Sequence, residues 1–327
     1  MDSTEIEATK INSVTTRTIW GALMQTCQFA HFKIPGIQYI SMNERLEILK
    51  DRKPPAGQWP FFQYWVIGDK GHIQRIDATD QETYIDEAKH DGDNAAPFRP
   101  IPFVMRPEGS DLTEAERKKY ILRKKENFNN IDYWCYYGMR IPGITDVVPT
   151  VYMTTVKDGV STTKEYETST ANIYPQQKVI APDQSVTTSP DTLSVSAALT
   201  IDFTPNDAQE LINVAKIRYN GNEKRAVISE IGLCTGLDTG GIQTETDGGA
   251  PIMFNEAISV WISAFISTFQ SLAFNNKGFK VELELGATEP VTTGSEVPDA
   301  QAVDALNNAR LSRLSSSGIA ATVKLNN

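Results

Sequence analysis

Apolar and polar residues alternate most regularly between residues 193 and 203. Every second position there is apolar: Leu193, Val195, Ala197, Leu199, Ile201 and Phe203. A period of two residues is that of a β-strand with one buried face. The segment FKVELEL at residues 279–285 alternates in the same way. We therefore predict two half-buried strands in the second half of the chain.

Spacings of three and four residues predict helices. Thr204-Pro205 supplies an N-cap and a first helical residue, and a helical face follows at Ala208, Leu211, Ile212, Ala215 and Tyr219. The apolar stretch at residues 254–274 places one stripe at Ile258, Trp261, Ile262, Phe265, Ile266, Phe269 and Leu272. Ser, Thr and Gln occupy its other positions, which favours an amphipathic helix over a membrane span.

The first half of the chain mixes helix and strand signals. Apolar rhythm predicts a helix at residues 18–34, and a capping box predicts another from Ser41. Residues 61–77 predict a strand, a turn and a second strand. A charged helix is predicted at 110–128 and a hairpin around Lys157-Asp158-Gly159.

Together these elements predict the fold class α+β. We expect an N-terminal domain of mixed helices and hairpins at residues 1–167 and a Thr/Ser/Pro-rich connection at 168–192. A C-terminal strand-helix-strand-helix-strand sheet with its helices on one face is expected at 193–286. The polar tail at 287–327 predicts an extended arm, which another subunit would hold in place.

Composition excludes several classes of protein. The 327 residues carry a formal net charge of −10 and a pI near 5.0, which disfavours a general nucleic-acid binder. The three cysteines lie far apart, so neither a disulfide framework nor a zinc ribbon is predicted. The acidic N-terminal segment lacks the features of a secretory signal, and synthesis in the cytoplasm is expected.

The sequence Gly232-Leu233-Cys234-Thr235-Gly236 has the spacing of a nucleophile elbow. Such an elbow leads into a helix and is followed by its histidine, whereas here a Gly/Thr-rich run follows. The three histidines, His31, His72 and His90, all precede Cys234. A buried structural thiol is the favoured interpretation, and a cysteine hydrolase that uses Cys234 is the remote alternative.

An acidic loop at Asp91-Gly92-Asp93-Asn94 could gather oxygen ligands for a cation. It fails the EF-hand pattern, because Ala95 and Ala96 stand at the fifth and sixth positions. A solvated loop is the favoured interpretation, and cation binding through Asp91 and Asp93 stays open. We predict no catalytic residues, no cofactor, no metal and no small-molecule substrate.

Two groups of residues are candidates for an interface. The predicted basic helix offers Arg117, Lys118, Arg123 and Lys124, which could dock against an acidic surface or simply face solvent. The predicted helix at 254–274 has a small, uncharged polar face at Ser259, Ser263, Ser267 and Gln270. Interface cores are poor in charge, so this face suits contact with another protein.

The linear pattern resembles uncharacterised virion structural proteins of tailed bacteriophages. Four segments carry the resemblance: GDKGH at 68–72, residues 96–124, DYWCYYGMRI at 132–141 and AVISEIGLCTG at 226–236. The similarity extends from about residue 30 to residue 290. It implies a non-enzymatic subunit made in the host cytoplasm and located in the virion, in a tail, baseplate or neck assembly. A capsid shell or head-decorating protein is the alternative, and copies of itself and other virion proteins are the expected partners.

Overall fold

The computed structural model describes residues 14–36, 40–76, 83–157, 160–175, 192–239, 242–244, 252–274, 276–290 and 318–325. The chain divides into two compact units. Unit 1 comprises residues 1–144, 200–282 and 321–327, and unit 2 comprises residues 145–199 and 283–320. Most of the predicted connection, at 176–191, and most of the predicted arm, at 291–317, lie outside the described residues.

The described part of the chain contains seventeen strands and four α-helices. The strands are β1 (Val14–Arg17), β2 (Phe61–Gly68), β3 (His72–Ile76), β4 (Thr83–Glu87), β5 (Pro100–Ile101), β6 (Val104–Pro107), β7 (Tyr120–Phe128), β8 (Ile131–Arg140), β9 (Thr150–Lys157), β10 (Val160–Glu165), β11 (Thr192–Phe203), β12 (Val227–Asp238), β13 (Ile242–Thr244), β14 (Ile252–Phe254), β15 (Ala257–Ser271), β16 (Phe279–Pro290) and β17 (Gly318–Leu325). The helices are α1 (Ile19–Ala30), α2 (Met42–Leu46), α3 (Glu114–Arg117) and α4 (Pro205–Arg218). No helix in these ranges is both long and apolar enough to cross a membrane.

The predicted α+β class is wrong, because the structure is mostly β. An eight-stranded sheet has the order β1-β15-β12-β2-β8-β6, with β5 beside β2 and β7 beside β8. A five-stranded sheet has the order β10-β9-β11-β16-β17, and β13-β14 and β3-β4 form two small ribbons. The two strands predicted in residues 61–77 are present as β2 and β3. They do not pair with each other, because β3 pairs with β4.

The segment at 254–274 contains the strand β15 where an amphipathic helix was expected. β15 lies between β1 and β12, and its residues 257–268 are all buried. A strand buried on both faces has apolar side chains on each, so the period of two that marks a half-buried strand is lost. The abundance of Ile, Val, Trp and Phe suits a central strand.

The predicted charged helix at 110–128 is also wrong in most of its length. The expected capping box is present, with Thr113 and Glu116 bonded to each other's backbone, but helix α3 lasts only four residues. β7 follows and pairs with β8 along its whole length. Burial of Tyr120, Ile121 and Leu122 in the sheet outweighs the helical propensity of the neighbouring Lys and Arg residues.

Several local predictions are confirmed. Helices α1 and α4 form where spacing and caps predict them, and α4 begins at the Thr204 cap. The alternating segments form β11 and β16, and β9 and β10 form the predicted hairpin. The core of unit 1 includes Trp65, which contacts Phe103 edge-on at a ring distance of 4.8 Å.

A β-bulge interrupts β15 where it passes Asn43. Between the pairs Thr235–Trp261 and Leu237–Ile258, β15 has one residue more than β12, and Ser259 has a φ of 50°. The buried amide of Asn43 satisfies the bulged backbone. Its Oδ1 accepts from the Val260 N–H at 3.0 Å, and its Nδ2 donates to the Ala257 carbonyl at 2.8 Å.

Replacement of Asn43 by alanine is expected to lower the free energy of unfolding by about 2 kcal/mol, because it leaves two backbone groups of the bulge unpaired. Urea titration followed by circular dichroism measures the loss. Asn206→Ala, at an exposed asparagine on α4, is the matched control and should change stability by less than about 0.5 kcal/mol. Equal effects of the two substitutions would contradict the assignment.

Candidate functional site

The basic residues predicted to form an interface contact other residues of the same chain. Arg117 is buried and donates to the Leu112 carbonyl. Arg123 is buried beneath the ring of Trp134, at 3.4 Å from its centroid, and donates to Asp111 at 2.5 Å. These arginines therefore form contacts inside unit 1 and leave little surface to offer to a partner.

The two predicted lysines lie nearer the solvent. The Nζ atom of Lys118, on an exposed side chain, is 3.7 Å from a carboxylate oxygen of Glu114. Lys124 is half-buried, with its Nζ atom 3.8 Å from Glu47. Each pairs weakly with a carboxylate of the same chain, as exposed ion pairs do. No continuous basic helix face exists here, because most of the segment is strand.

The predicted polar helix face is inside the eight-stranded sheet. Ser259, Ser263, Ser267 and Gln270 all lie on β15 and are at most 6% exposed. Ser267, for example, donates to the Ala88 carbonyl at 3.2 Å. Since these side chains are enclosed by their own chain, this candidate interface is not supported.

The Cys234 thiol is fully buried in β12. Burial raises its pKa far above the usual range for a thiol, and Sγ donates to the Gly232 carbonyl at 3.4 Å. A nucleophilic cysteine must be exposed and readily deprotonated. The position fits a structural thiol, as the residue order in the sequence indicates.

The acidic loop follows His90, which belongs to a buried cluster around Glu230. The Glu230 carboxylate is inaccessible to solvent and lies 2.8 Å from His90 Nε2. It also accepts from the backbone N–H groups of Phe98, Arg99 and Lys70, at 2.9, 3.2 and 3.2 Å. The His90 ring stacks between Phe98 and Phe265, with centroid distances of 4.1 and 3.6 Å.

This cluster joins the loops at 69–71 and 88–99 to β12. Both side chains of the His90–Glu230 pair are fully enclosed, so no substrate reaches them and their role is structural. Asp91 and Asp93 are exposed beside the cluster, and within the described ranges no group of His, Cys, Asp and Glu could hold a metal ion. The sequence analysis missed this cluster. Its signal is the charged Glu230 within the apolar run AVISEIGLC, because a carboxylate in a buried strand needs partners.

Unit 2 presents a sheet of which few described residues are buried. We define the open sheet as residues 150–157, 160–165 and 192–199, from β9, β10 and β11. Every residue of β10 is exposed, and Leu199 alone is buried among the open-sheet residues whose exposure is described. A sheet normally buries one face against another layer. The described part of unit 2 supplies no such layer for this one.

One face of the open sheet carries an apolar patch. Met153 lies directly opposite Leu193 across the β9–β11 ladder, and Val151 lies opposite Val195. Val195 is 43% exposed, and the other three are half-buried. Directly opposed apolar pairs stabilise a sheet most when a second layer covers them. This face is therefore suited to contact with another surface.

The free edge of β10 adds hydrogen-bonding capacity. β10 pairs with β9 on one side, and within the described ranges no strand pairs with its other side. The Oγ1 atoms of Thr154 and Thr163 lie 2.8 Å apart, a closeness typical of the non-hydrogen-bonded pairs of a ladder. We infer that the backbone N–H and C=O of Thr163 point to the free edge.

The model of a family of unknown function, DUF7208, matches residues 4–300 of the chain. No curated protein and no solved structure matches it.

Proposed function

We propose a structural role for this chain, which belongs to the family of unknown function DUF7208. It acts as a subunit of a tailed-bacteriophage virion, in a tail, baseplate or neck assembly. It works by association with copies of itself and with other virion proteins, and it catalyses no reaction. The resemblance of residues 30–290 to virion structural proteins supports the kind of particle.

The observation that carries the association is the open sheet of unit 2. Its patch of Val151, Met153, Leu193 and Val195 would gain about 25 cal/mol for each Å² of apolar surface that a neighbour removes from water. The free edge at β10 would gain a row of backbone hydrogen bonds from an added strand. A second chain would supply both contributions, which suits a protein present in many copies.

Other functions have less support from the described residues. The buried thiol of Cys234 does not favour a hydrolase. Nucleic-acid binding through residues 117–125 would need a concentrated, unpaired basic surface. Arg117 and Arg123 are instead buried in ion pairs with Asp111, in a chain of net charge −10.

Sedimentation velocity of Thr163→Pro tests the proposal. Proline removes the outward N–H of β10 but leaves the β9 side of the ladder intact, so edge pairing is weakened. We expect the wild type to sediment as oligomers at micromolar concentration. The variant should need at least about tenfold more protein to associate, equivalent to about 1.4 kcal/mol.

Thr163→Ala is the matched control, because it shortens the same exposed side chain and keeps the N–H. It should associate as the wild type does. Circular dichroism of the three proteins checks that the fold is unchanged. A wild type that stays monomeric at 100-fold higher concentration, or a proline variant that associates like the alanine variant, would count against assembly through this edge.

A further inference from the structure

Helix α1 of unit 1 presents an apolar face to solvent. We define the outer face of α1 as the residues that recur there at spacings of three and four: Ile19, Ala22, Leu23, Thr26, Phe29 and Ala30. Phe29 is 93% exposed and Ile19 is 56% exposed. No residue of α1 is charged, and its buried residues, Met24 and Cys27, lie on the other side of the helix.

Helix α4 shows how a solvent-facing helix of the same chain is built. Its exposed residues after Pro205 are Asn206, Gln209 and Lys216, which are all polar. Surface helices normally carry such residues on the side that faces water. The outer face of α1 lacks them and resembles the core of an interface, which is poor in charge. This face is therefore suited to contact with another protein surface.

The apolar patch of the open sheet has the dimensions that such a helix covers. Its two rows, Val151–Val195 and Met153–Leu193, join the neighbouring strands β9 and β11. Neighbouring strands lie about 4.8 Å apart and a helix is about 10 Å wide, so one helix covers both strands. α1 has 12 residues and is about 18 Å long, which exceeds the separation of about 7 Å between the two rows. A helix packed on the apolar face of a sheet is a common layer arrangement.

Negative charge lies at the start of α1. The Ile19 N–H donates to the Gly92 carbonyl at 2.7 Å, which fixes the acidic loop beside the first turn of the helix. The side chains of Asp91 and Asp93 are exposed there, and neither forms an ion pair within the described ranges. The outer face of α1 thus ends at two carboxylates that are free to meet a positive group.

Positive charge lies beside the apolar patch. Lys164 of β10 is directly opposite Met153 of β9, and residues directly opposite each other extend from the same face of a sheet. Lys164 is exposed and, in the part of the chain that the structure describes, takes part in no ion pair. The two apolar surfaces are therefore flanked by charges of opposite sign, which favours one orientation of contact between them.

We propose that the outer face of α1 packs on the open sheet of a second copy of the chain. Ile19 and Phe29 cover the apolar patch of that copy, and Asp91 and Asp93 lie near its Lys164. This inference rests on the proposed function, because it names the surface that covers the open sheet. The two faces differ, so the contact is head-to-tail and continues from copy to copy into a ring or a filament.

Cysteine cross-linking of mixed variants tests the contact. Phe29→Cys and Val195→Cys each place one accessible thiol on one of the two faces, whereas the three native cysteines are buried. An equimolar mixture is treated with a short bismaleimide, and denaturing electrophoresis measures the product of twice 36.2 kDa. We expect at least about tenfold more product in the mixture than in either variant alone, because bound copies hold the two thiols close together.

Gln209→Cys, on the polar outer side of α4, is the control. Its mixture with Val195→Cys should form no more product than either variant alone. Addition of Lys164→Glu to the Val195→Cys protein should lower cross-linking to Phe29→Cys at least about threefold, a modest loss since exposed ion pairs are weak. Addition of Asp91→Lys to the Phe29→Cys protein should then recover at least about twofold of this loss.

Self-cross-linking of either cysteine variant at the level of the mixture would overturn the head-to-tail contact. A mixture that forms no more product than the Gln209→Cys control would also overturn it, and a charge exchange without recovery would contradict the orientation. The assembly role would survive these results if Thr163→Pro still associates more weakly than Thr163→Ala. Failure of both experiments would overturn the proposed function as well.

Discussion

Replacement of Glu230 by alanine is expected to lower the free energy of unfolding by about 4 kcal/mol. The carboxylate is inaccessible to solvent, accepts three backbone N–H groups and lies against His90. The substitution leaves these donors buried without an acceptor and opens a space behind the loops at 69–71 and 88–99. This is the largest loss that we expect from one side chain.

Urea denaturation of Glu230→Ala and Glu230→Gln measures this contribution. Glutamine keeps one acceptor oxygen but turns an N–H₂ group toward donors, so an intermediate loss of about 2 kcal/mol is expected. Glu210→Ala is the control, because Glu210 pairs with Arg106 in a half-exposed position and should contribute less than about 1 kcal/mol. Equal losses at positions 230 and 210 would show that the buried cluster is not a major source of stability.

The second large effect concerns pH and Glu256. This side chain is 3% exposed, and burial raises its pKa to about 7, although the Arg123 N–H, at 3.3 Å, acts in the opposite direction. In the unfolded chain the pKa returns to its ordinary value of 4.5. Between these values the unfolded chain releases a proton that the folded chain keeps, so stability falls as pH rises from 4.5 to 7.

The size of this effect follows from the shift in pKa. One pKa unit corresponds to about 1.4 kcal/mol, so Glu256 should cost the native state about 3 kcal/mol of stability at pH 8 relative to pH 4.5. Once the pH is well above 7 no further loss arises from this group, because both states are then ionised. Glu256→Gln removes the titration, and its stability should lack this loss.

The measurement compares the two proteins between pH 4.5 and 8. Other groups titrate in both, so the difference between wild type and Glu256→Gln isolates this carboxyl group. Relative to the wild type, the glutamine variant should gain about 3 kcal/mol as the pH rises. A constant difference across the range would mean that the folded and unfolded pKa values of Glu256 are equal.

Local patterns predicted those elements whose stabilising contacts are close in sequence. The cap at Thr204 and the three- and four-residue spacing after it identify α4, because a helix bonds within itself. The alternation at 193–203 identifies β11, since half of its side chains lie on a poorly covered face. The β9–β10 hairpin follows from its turn residues.

Periodicity failed where burial is complete. β15 is covered on both faces, so its apolar residues also satisfy a helical stripe. The four residues that the sequence offered as a polar helix face, Ser259, Ser263, Ser267 and Gln270, are buried in the sheet. β7 begins within a charged run that reads as helix, yet it pairs with β8. Which strands become central depends on pairing between distant segments, and one sequence does not reveal that pairing.

The candidate sites depended on the same distant contacts. His90 and Glu230 are 140 residues apart, so spacing rules cannot join them. Ser259 was singled out for the wrong reason, as part of a helix face, although it does line a cavity beside residues 53–59. The sequence shows that basic residues are concentrated at 117–125. It does not show that Arg117 and Arg123 form ion pairs with Asp111.

Hydrogen–deuterium exchange at the free edge of β10 tests most directly whether unit 2 is completed by neighbouring chains. Exchange of residues 160–165 is measured on dilute protein and on the concentrated, associated form, with α4, which lies in unit 1, as internal reference. The assembly role predicts exchange at least about tenfold slower in the associated form at residues 160–165, with α4 unchanged. Association that leaves these residues as fast as in dilute protein would contradict it.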